Sequence, residues 1–257
     1  MKPKLGCWVL CMCIYAASSA QISLGLGGGF LSNQLLSNLS GRPEKYAAGY
    51  GLFVPLSADL HLCKHFYLDL AVSYAQKSYM LDRTDSFMTL NTHYRNEYLQ
   101  LQVAPAYSYL FCHQPQGRVS PVPWARLIVF AGAYGAYWAA GHLTGAVPNL
   151  INTAVAFPSY SYIDQAYSFD PRRDNRWEWG LQAGFSFQYL VSPDSGPFLA
   201  MRFYQGETDQ QKAYMQDQVP RYNRSFGFAF GLIKSFGGLK EGCSHCPFKK
   251  KKKQKKS

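Results

Sequence analysis

From Trp177 to Val191 the chain alternates without a break. Trp177, Trp179, Leu181, Ala183, Phe185, Phe187, Tyr189 and Val191 share one parity, and Glu178, Gly180, Gln182, Gly184, Ser186, Gln188 and Leu190 the other. A side-chain period of two belongs to an extended strand. Strands of soluble proteins are mostly about five or six residues long, whereas a tilted strand crossing a bilayer needs about 9 to 11. The pattern recurs near 22–30, 46–56, 65–76, 97–109, 124–138, 197–206 and 221–236, which makes eight strands. Phe66, Leu68, Leu70, Val72 and Tyr74 fall on one face, with Tyr67, Asp69, Ala71 and Ser73 on the other. Leu99, Leu101, Val103, Pro105, Tyr107 and Tyr109 likewise oppose Gln100 and Gln102. Leu199, Met201 and Phe203 form one more such face, and Phe226, Phe228, Phe230 and Leu232 another. The stretch 124–138 has two apolar faces, so its phase is open.

The connections alternate in length. Segments 31–45, 77–96, 139–174 and 207–220 are long, and 57–64, 110–123 and 192–196 are shorter. Long loops at one end and short turns at the other are the layout of an outer-membrane barrel with an even strand number. Aromatics gather at strand ends, Trp177 and Trp179 at one rim and Tyr107, Tyr109, Trp124 and Tyr189 at the other, as interfacial girdles. The expected fold is all-β, an eight-stranded antiparallel up-and-down transmembrane β-barrel with apolar residues outside. A secreted soluble barrel binding a small apolar ligand is disfavoured, because its interior would have to hold far too many rings. Past residue 21 no stretch of 18 apolar residues occurs, so helical membrane spans are not expected.

The glycine-rich start, Ile22 to Phe30, invites a phosphate-loop reading. A G-x-G-x-x-G fingerprint from Gly25 would need its third glycine at position 30, which is Phe30, and no helical pattern follows. As a strand, the run sets Ile22, Leu24, Leu26 and Phe30 against Ser23, Gly25, Gly27 and Gly29. Glycines at the inner positions 49, 51, 180, 184, 227 and 231 then make room in a narrow lumen for Arg202, Tyr204 and Gln182.

Residues 1–20 place two lysines before an apolar run and end in small residues at Ser18 and Ala20, the layout of a signal peptide cleaved before Gln21. The barrel then occupies 21–236, and 237–257 is a lysine-rich tail expected to be disordered. The net charge of +11 shrinks on inspection. Lys2, Lys4 and the seven lysines at 249–253, 255 and 256 account for most of it, leaving 17 basic against 15 acidic residues. A nucleic-acid-binding body is therefore not expected.

Asp69, Glu178 and Arg202 are the charged residues that the alternation turns inward, and a buried charge needs a partner. They form the expected lumen charge network, structural first and a proton or ligand site second. An eight-stranded lumen is filled by side chains, so an open diffusion pore is not expected. The 36-residue loop 139–174 is long for a connector. Its Phe157, Tyr160, Tyr162, Tyr167 and Phe169 are the binding candidates, suited to an extracellular protein or a glycan. Whether they face a partner or fold back over the barrel mouth stays open. His93 and His142 lie in or beside outer loops, with Ser86 and Ser161 as conceivable catalytic partners; no spacing fixes a triad, so no catalytic residue is assigned and no enzyme is expected. Cys63 and Cys112 flank neighbouring strands on the short-turn side and are a candidate disulfide. The CSHC at 243–246 lacks a second knuckle, so no metal and no cofactor is expected.

The glycine-rich first strand, GYGLFVPLS, YLDLAVSYAQKSY, EYLQLQVAPAYSY, FAGAYGAYWAAG, WGLQAGFSF, FLAMRFYQG and a last strand ending LIKSF together resemble the porin-family outer membrane protein β-barrel domain of the PorT-like group, over residues 21–236. The resemblance implies a cell outer-membrane barrel in contact with outer-membrane lipid. It also implies insertion by the outer-membrane assembly machinery, which reads a terminal aromatic matched here by Phe236. It implies no reaction and no catalytic residues. Some relatives take part in protein secretion. The function expected is structural or binding, through the outer loops; an outer-membrane hydrolase or acyltransferase and a secretion component are the alternatives.

Overall fold

The computed structural model describes residues 22–37, 44–63, 65–84, 89–113, 122–148, 160–192, 194–213 and 219–236. The leader, Ser86, Phe157, the CSHC and the lysine tail lie outside the described residues. Nine strands follow one another: β1 (Ile22–Leu36), β2 (Glu44–Cys63), β3 (Phe66–Thr84), β4 (Thr89–His113), β5 (Val122–Pro148), β6 (Tyr160–Ala166), β7 (Trp177–Tyr189), β8 (Ser195–Gly206) and β9 (Tyr222–Phe236).

All pairings are antiparallel. β1 to β5 pair in sequence, β5 pairs with β7, β7 with β8, β8 with β9, and β9 returns to β1 over the full register from Ile22↔Phe236 to Leu36↔Tyr222. The result is a closed eight-stranded up-and-down barrel in which no strand of the ring is left with a free edge. β6 stands outside the ring and pairs with the far end of β5, from His142↔Ala166 to Pro148↔Tyr160.

The expected inside and outside hold along the barrel. Leu24, Leu26, Leu56, Val72, Leu99, Leu101, Val129, Leu181, Phe230 and Leu232 are exposed on the outer face, while Ser73, Gln100, Gln102, Gln182 and Gln188 are buried within. The open phase of β5 resolves with Arg126, Ile128, Phe130, Tyr134, Ala136 and Trp138 inside. Trp177 and Trp179 mark one rim, and Tyr107, Tyr109, Trp124 and Tyr189 the other. From Trp179 to Tyr189 the strand covers about 34 Å, or about 26 Å of height at a tilt of about 40°, close to the ~25 Å apolar band of outer-membrane barrels.

Strands run on well past the rim, which the hydrophobic pattern does not show. Segment 77–96, expected as a loop, is mostly ladder, with Lys77↔Asn96 through Thr84↔Thr89 in register. Likewise 139–148 continues β5 and 160–166 is β6, so the described part of the expected loop 139–174 is mostly sheet. Beyond an apolar band the outer face is free to be polar, so backbone pairing continues while the alternating hydrophobicity stops. The extension is lopsided, since β3, β4 and β5 rise together with β6 while β7, β8 and β9 end near the rim.

The expected bridge between Cys63 and Cys112 is not formed. Cys63 is exposed and free, whereas Cys112 is disulfide-bonded. Register explains the separation. Cys63 pairs with Phe66 and Phe66 with Tyr107, so Cys112 lies five residues further down β4. That is about 17 Å of strand, against the roughly 7 Å limit between the Cα atoms of a bridged pair.

The inward glycines make room, though for rings rather than for the side chains expected. A Cβ on Gly231 would lie 2.7 Å from the Phe198 ring and 2.1 Å from the Leu26 carbonyl oxygen, and one on Gly27 3.0 Å from the same ring. Gly180 gives way to Tyr134 and Gly184 to Phe130 in the same manner. Gly231→Leu is therefore expected to overpack the base of the barrel and cost about 1–3 kcal/mol. A lower urea midpoint in detergent would show it, and Phe198→Ala in the same chain should restore part of the loss.

Candidate functional site

Among the described residues the lumen holds six acidic and basic side chains in three matched pairs. Asp59 and Asp69 face each other directly across β2 and β3, an arrangement of like charges that is unfavourable alone. Two arginines answer it. Arg202 grips Asp69 through both oxygens, at 3.1 and 2.9 Å, and lies 4.3 Å over the Phe130 ring. Arg126 donates to Asp59 at 3.2 Å and to Gln188 at 2.9 Å, with the Tyr67 ring 5.0 Å away. Gln102 accepts from Arg202 at 2.9 Å and from the Tyr204 hydroxyl at 3.2 Å, and donates to Ser73 at 2.8 Å.

Nearer the mouth Lys77, wholly buried, pairs with Glu178. Glu178 also accepts from the Tyr134 hydroxyl and from Asn223, each at 2.6 Å. Asn223 in turn accepts from Asn33 at 3.2 Å, and Ser225 donates to Asn33 at 2.6 Å. The expected network thus splits. Asp69 and Arg202 meet, whereas Glu178 belongs to a second cluster around Lys77. Lys77 and Asp59 were hidden in segments that read as connections, and Arg126 in the strand whose phase was open.

Above this filling the mouth is shaped by two strap segments. Residues 167–176 fold back onto Trp138, whose ring lies 5.0 Å from Tyr167 and 4.9 Å from Phe169. Asp174 locks the strap, accepting from Arg173 Nε, the Tyr167 hydroxyl and the Asp170 N–H, all at 2.8 Å. Burial by itself pushes the Asp174 carboxyl up; the hydrogen bonds from Arg173, Asp170 and Tyr167 outweigh it and hold the group below the usual carboxylate range. Burial, and then the bond to Asp174, push the Tyr167 phenol up. The second strap, 207–213, is tied to the first by Lys212 N–H on the Arg173 carbonyl at 2.7 Å and Asn175 N–H on the Gln210 carbonyl at 3.0 Å. Asp209 accepts the backbone N–H groups of Gln211 and Arg221, each at 3.0 Å.

Between the straps and the wall of β3 to β5 lies a cavity of about 320 Å³, with Tyr79, Tyr94, Trp138, Tyr167, Arg173 and Arg221 among its lining residues. Tyr79 and Tyr94 stack at 4.8 Å and 12°. The five loop candidates therefore separate. Tyr167 and Phe169 are packed into the mouth, Tyr160 and Tyr162 stand out on β6 at 60 and 73 % exposure, and Phe157 is outside the described residues.

His142 does not meet Ser161, and Ser86 lies outside the described residues. His142 pairs with Asp164 at 2.6 Å, while Ser161 is opposite Val147, five rungs further along the β5–β6 ladder. His93 sits on β4 opposite Met80 and Thr144, its pKa lowered by burial and then by Arg95. Among the described residues no group of three or more His, Cys, Asp and Glu is placed to hold a metal ion.

No family model and no curated protein matches the chain. Solved structures that it resembles include the outer membrane protein OprG from Pseudomonas aeruginosa, at 10 % identity over 83 % of this chain and 95 % of that one, TM-score 0.45. Neisserial surface protein A matches at 15 % identity over 85 and 97 %, TM-score 0.36. Ail of Yersinia pestis, in complex with the heparin analogue sucrose octasulfate, matches at 10 % over 84 and 99 %, TM-score 0.36.

Two outcomes follow from this geometry. Lys77→Met strands the Glu178 carboxylate and is expected to cost about 3–5 kcal/mol, whereas Lys77→Met with Glu178→Gln removes both charges and recovers most of it. Urea titrations of the refolded chain in detergent compare the two; a double variant no better than the single one contradicts the pairing. At the mouth, Asp174 has a depressed folded-state pKa, so the strap's stabilisation is complete above the ordinary carboxylate pKa of about 3.9 and is lost as pH falls through the lower folded value. Near-UV circular dichroism should stay flat from neutral pH to about pH 4 and change below it, and Asp174→Asn should abolish that acid transition.

Proposed function

We propose that the chain is an outer-membrane barrel with a closed lumen that acts by binding at its outer mouth. One observation carries this reading, the inversion of polarity between a ring of apolar residues outside and matched charges inside. On β7 the outer face from Trp179 to Tyr189 carries no charge, whereas the lumen holds Lys77, Arg126 and Arg202 against Asp59, Asp69 and Glu178. A soluble barrel would show the reverse. The resemblance to the PorT-like group supports the same placement, with the leader before Gln21 as the export signal and outer-membrane lipid around the band. Phe236, the aromatic that the assembly machinery would read, stands at the seam opposite Ile22, on the strand that closes the ring.

Two layers of side chains across the lumen support its closure. Arg202, Tyr204, Gln102 and Ser73 bridge it at one level, and Glu178, Lys77, Tyr134 and Asn223 at another. Function then falls to the mouth, with the cavity as a small-molecule site and Tyr160 and Tyr162 displayed beside it for an extracellular protein or glycan. No catalytic role is proposed.

Heat-modifiable mobility of the detergent-extracted outer-membrane fraction tests the placement, with a faster band expected without boiling. Planar-bilayer recording of the refolded chain tests the closure. Steady conductance steps from the native sequence would overturn the closed lumen, and a soluble chain with no mobility shift would overturn the membrane reading.

A further inference from the structure

The mouth cavity contains a cation that no carboxylate among the described residues answers. The guanidinium of Arg221 lines it, and the backbone on either side is fixed, its N–H donating to Asp209 at 3.0 Å and its carbonyl accepting from Gln210 at 2.8 Å. The side chain rests against the Tyr46 ring at 5.7 Å, with Nε buried and without a hydrogen-bond partner. No ion pair forms between Arg221 and a carboxylate among the described residues. Arg173, in the same wall, is occupied by Asp174 and the Tyr167 hydroxyl, and both lumen arginines have their aspartates. With Asp174 balancing Arg173, the lining of the cavity keeps one net positive charge, at Arg221.

A partly buried guanidinium offers a planar fork of donors that suits the two oxygens of a carboxylate or phosphate. The rest of the lining supplies a second requirement. The stacked Tyr79 and Tyr94 give the cavity an aromatic wall that can cover the C–H face of a sugar, backed by Trp138 and Tyr167 packed on each other, and the Gln210 and Gln211 amides can meet hydroxyls. At about 320 Å³ the cavity lies at the small end of the ~300–1,000 Å³ range of ligand sites. We propose that the mouth cavity binds a single sugar ring bearing an oxyanion, carboxylate or phosphate, with Arg221 as the residue that holds the oxyanion. The inference rests on the binding role of the mouth proposed above and names its ligand class.

The test uses the full mature chain refolded in detergent, accepted only when its unboiled band runs fast, and titrated calorimetrically with glucuronate, glucose 6-phosphate and glucose. At least one anionic sugar is expected to bind about tenfold or more tightly than glucose, the worth of a charge-assisted hydrogen bond. Arg221→Gln should abolish that preference without changing the heat shift, and Arg221→Lys should keep part of it. Binding of glucuronate alone assigns a carboxylate, and of glucose 6-phosphate alone a phosphate; binding of both assigns charge without shape selection. Three results overturn the proposal: no binding of any of the three, equal binding of glucose, or a preference that survives Arg221→Gln. Equal binding of all three would leave the mouth a binding site while removing the oxyanion role. Loss of the heat shift in the native chain would remove the barrel reading itself.

Discussion

The structure depends on closing a ring of backbone hydrogen bonds. A sheet whose outer face is apolar cannot leave an edge in hydrocarbon, because each unpaired N–H or C=O there costs several kcal/mol. The seam between β1 and β9, unbroken over fifteen residue pairs, meets that requirement, and much else follows from it. Eight strands closed in this way give an interior only wide enough for side chains. The lumen is therefore a packing problem, solved by setting glycines opposite rings and arginines opposite aspartates. The same narrowness is why Gly27, Gly231 and Phe198 form one unit and cannot vary independently.

A charged filling looks costly beside an apolar one, since buried ion pairs seldom outperform well-packed hydrophobic residues. Here polarity carries a different advantage. A strand apolar on both faces has no defined inside, as 124–138 illustrates, where the sequence leaves the phase open until Arg126 is seen to meet Asp59. Inward charges mark which face is the lumen, and a one-residue slip would carry them into the apolar band. The pairs Asp69 with Arg202 and Lys77 with Glu178 tie strands far apart in sequence, β3 to β8 and β3 to β7, so they fix the ring's register across the lumen as well as along its wall.

What the sequence shows and what it hides divide along the same physical line. Within the apolar band the solvent outside is uniform, so every strand repeats one pattern, and the facing of Leu99 or Gln102 can be read directly. Above the band the outer face no longer has to be apolar, and Lys77 to Thr84 does not alternate in hydrophobicity although it pairs residue for residue with β4 and its Lys77, Ser78, Tyr79 and Leu81 are buried. That is why Lys77 read as part of a loop, and why β6 went unseen. The five aromatic loop candidates carried a true signal with the wrong grouping. Tyr167 and Phe169 are short-range partners of Trp138, a ring that lies on β5, at the barrel's own inner wall, while Tyr160 and Tyr162 are held outward by the β6 register. Cys63 and Cys112 failed as a pair for a related reason: proximity at a sheet end depends on the length of the ladder, and β4 runs further than its hydrophobic pattern.

The mouth then follows from asymmetry. Because β3, β4 and β5 rise above the rim and β7, β8 and β9 stop near it, an upright wall faces an open side, and the segments that leave the short strands must cross that side to reach the next. They do so as two straps bound to each other and locked by two carboxylates, Asp174 collecting the Arg173 and Tyr167 side chains with one backbone N–H and Asp209 collecting two backbone N–H groups. A surface tied together by these hydrogen bonds before any ligand arrives lowers the entropic cost of binding. It also explains why Arg221 stands without a carboxylate among the described residues while the lumen charges there are paired. Arg173 forms part of the lock and is consumed by it. Arg221 is held in place by Asp209 through its backbone, which leaves its guanidinium out of the lock and turned to the cavity. The backbone contact positions the residue while the side chain keeps its donors, an arrangement suited to a site whose counter-charge comes from outside the chain.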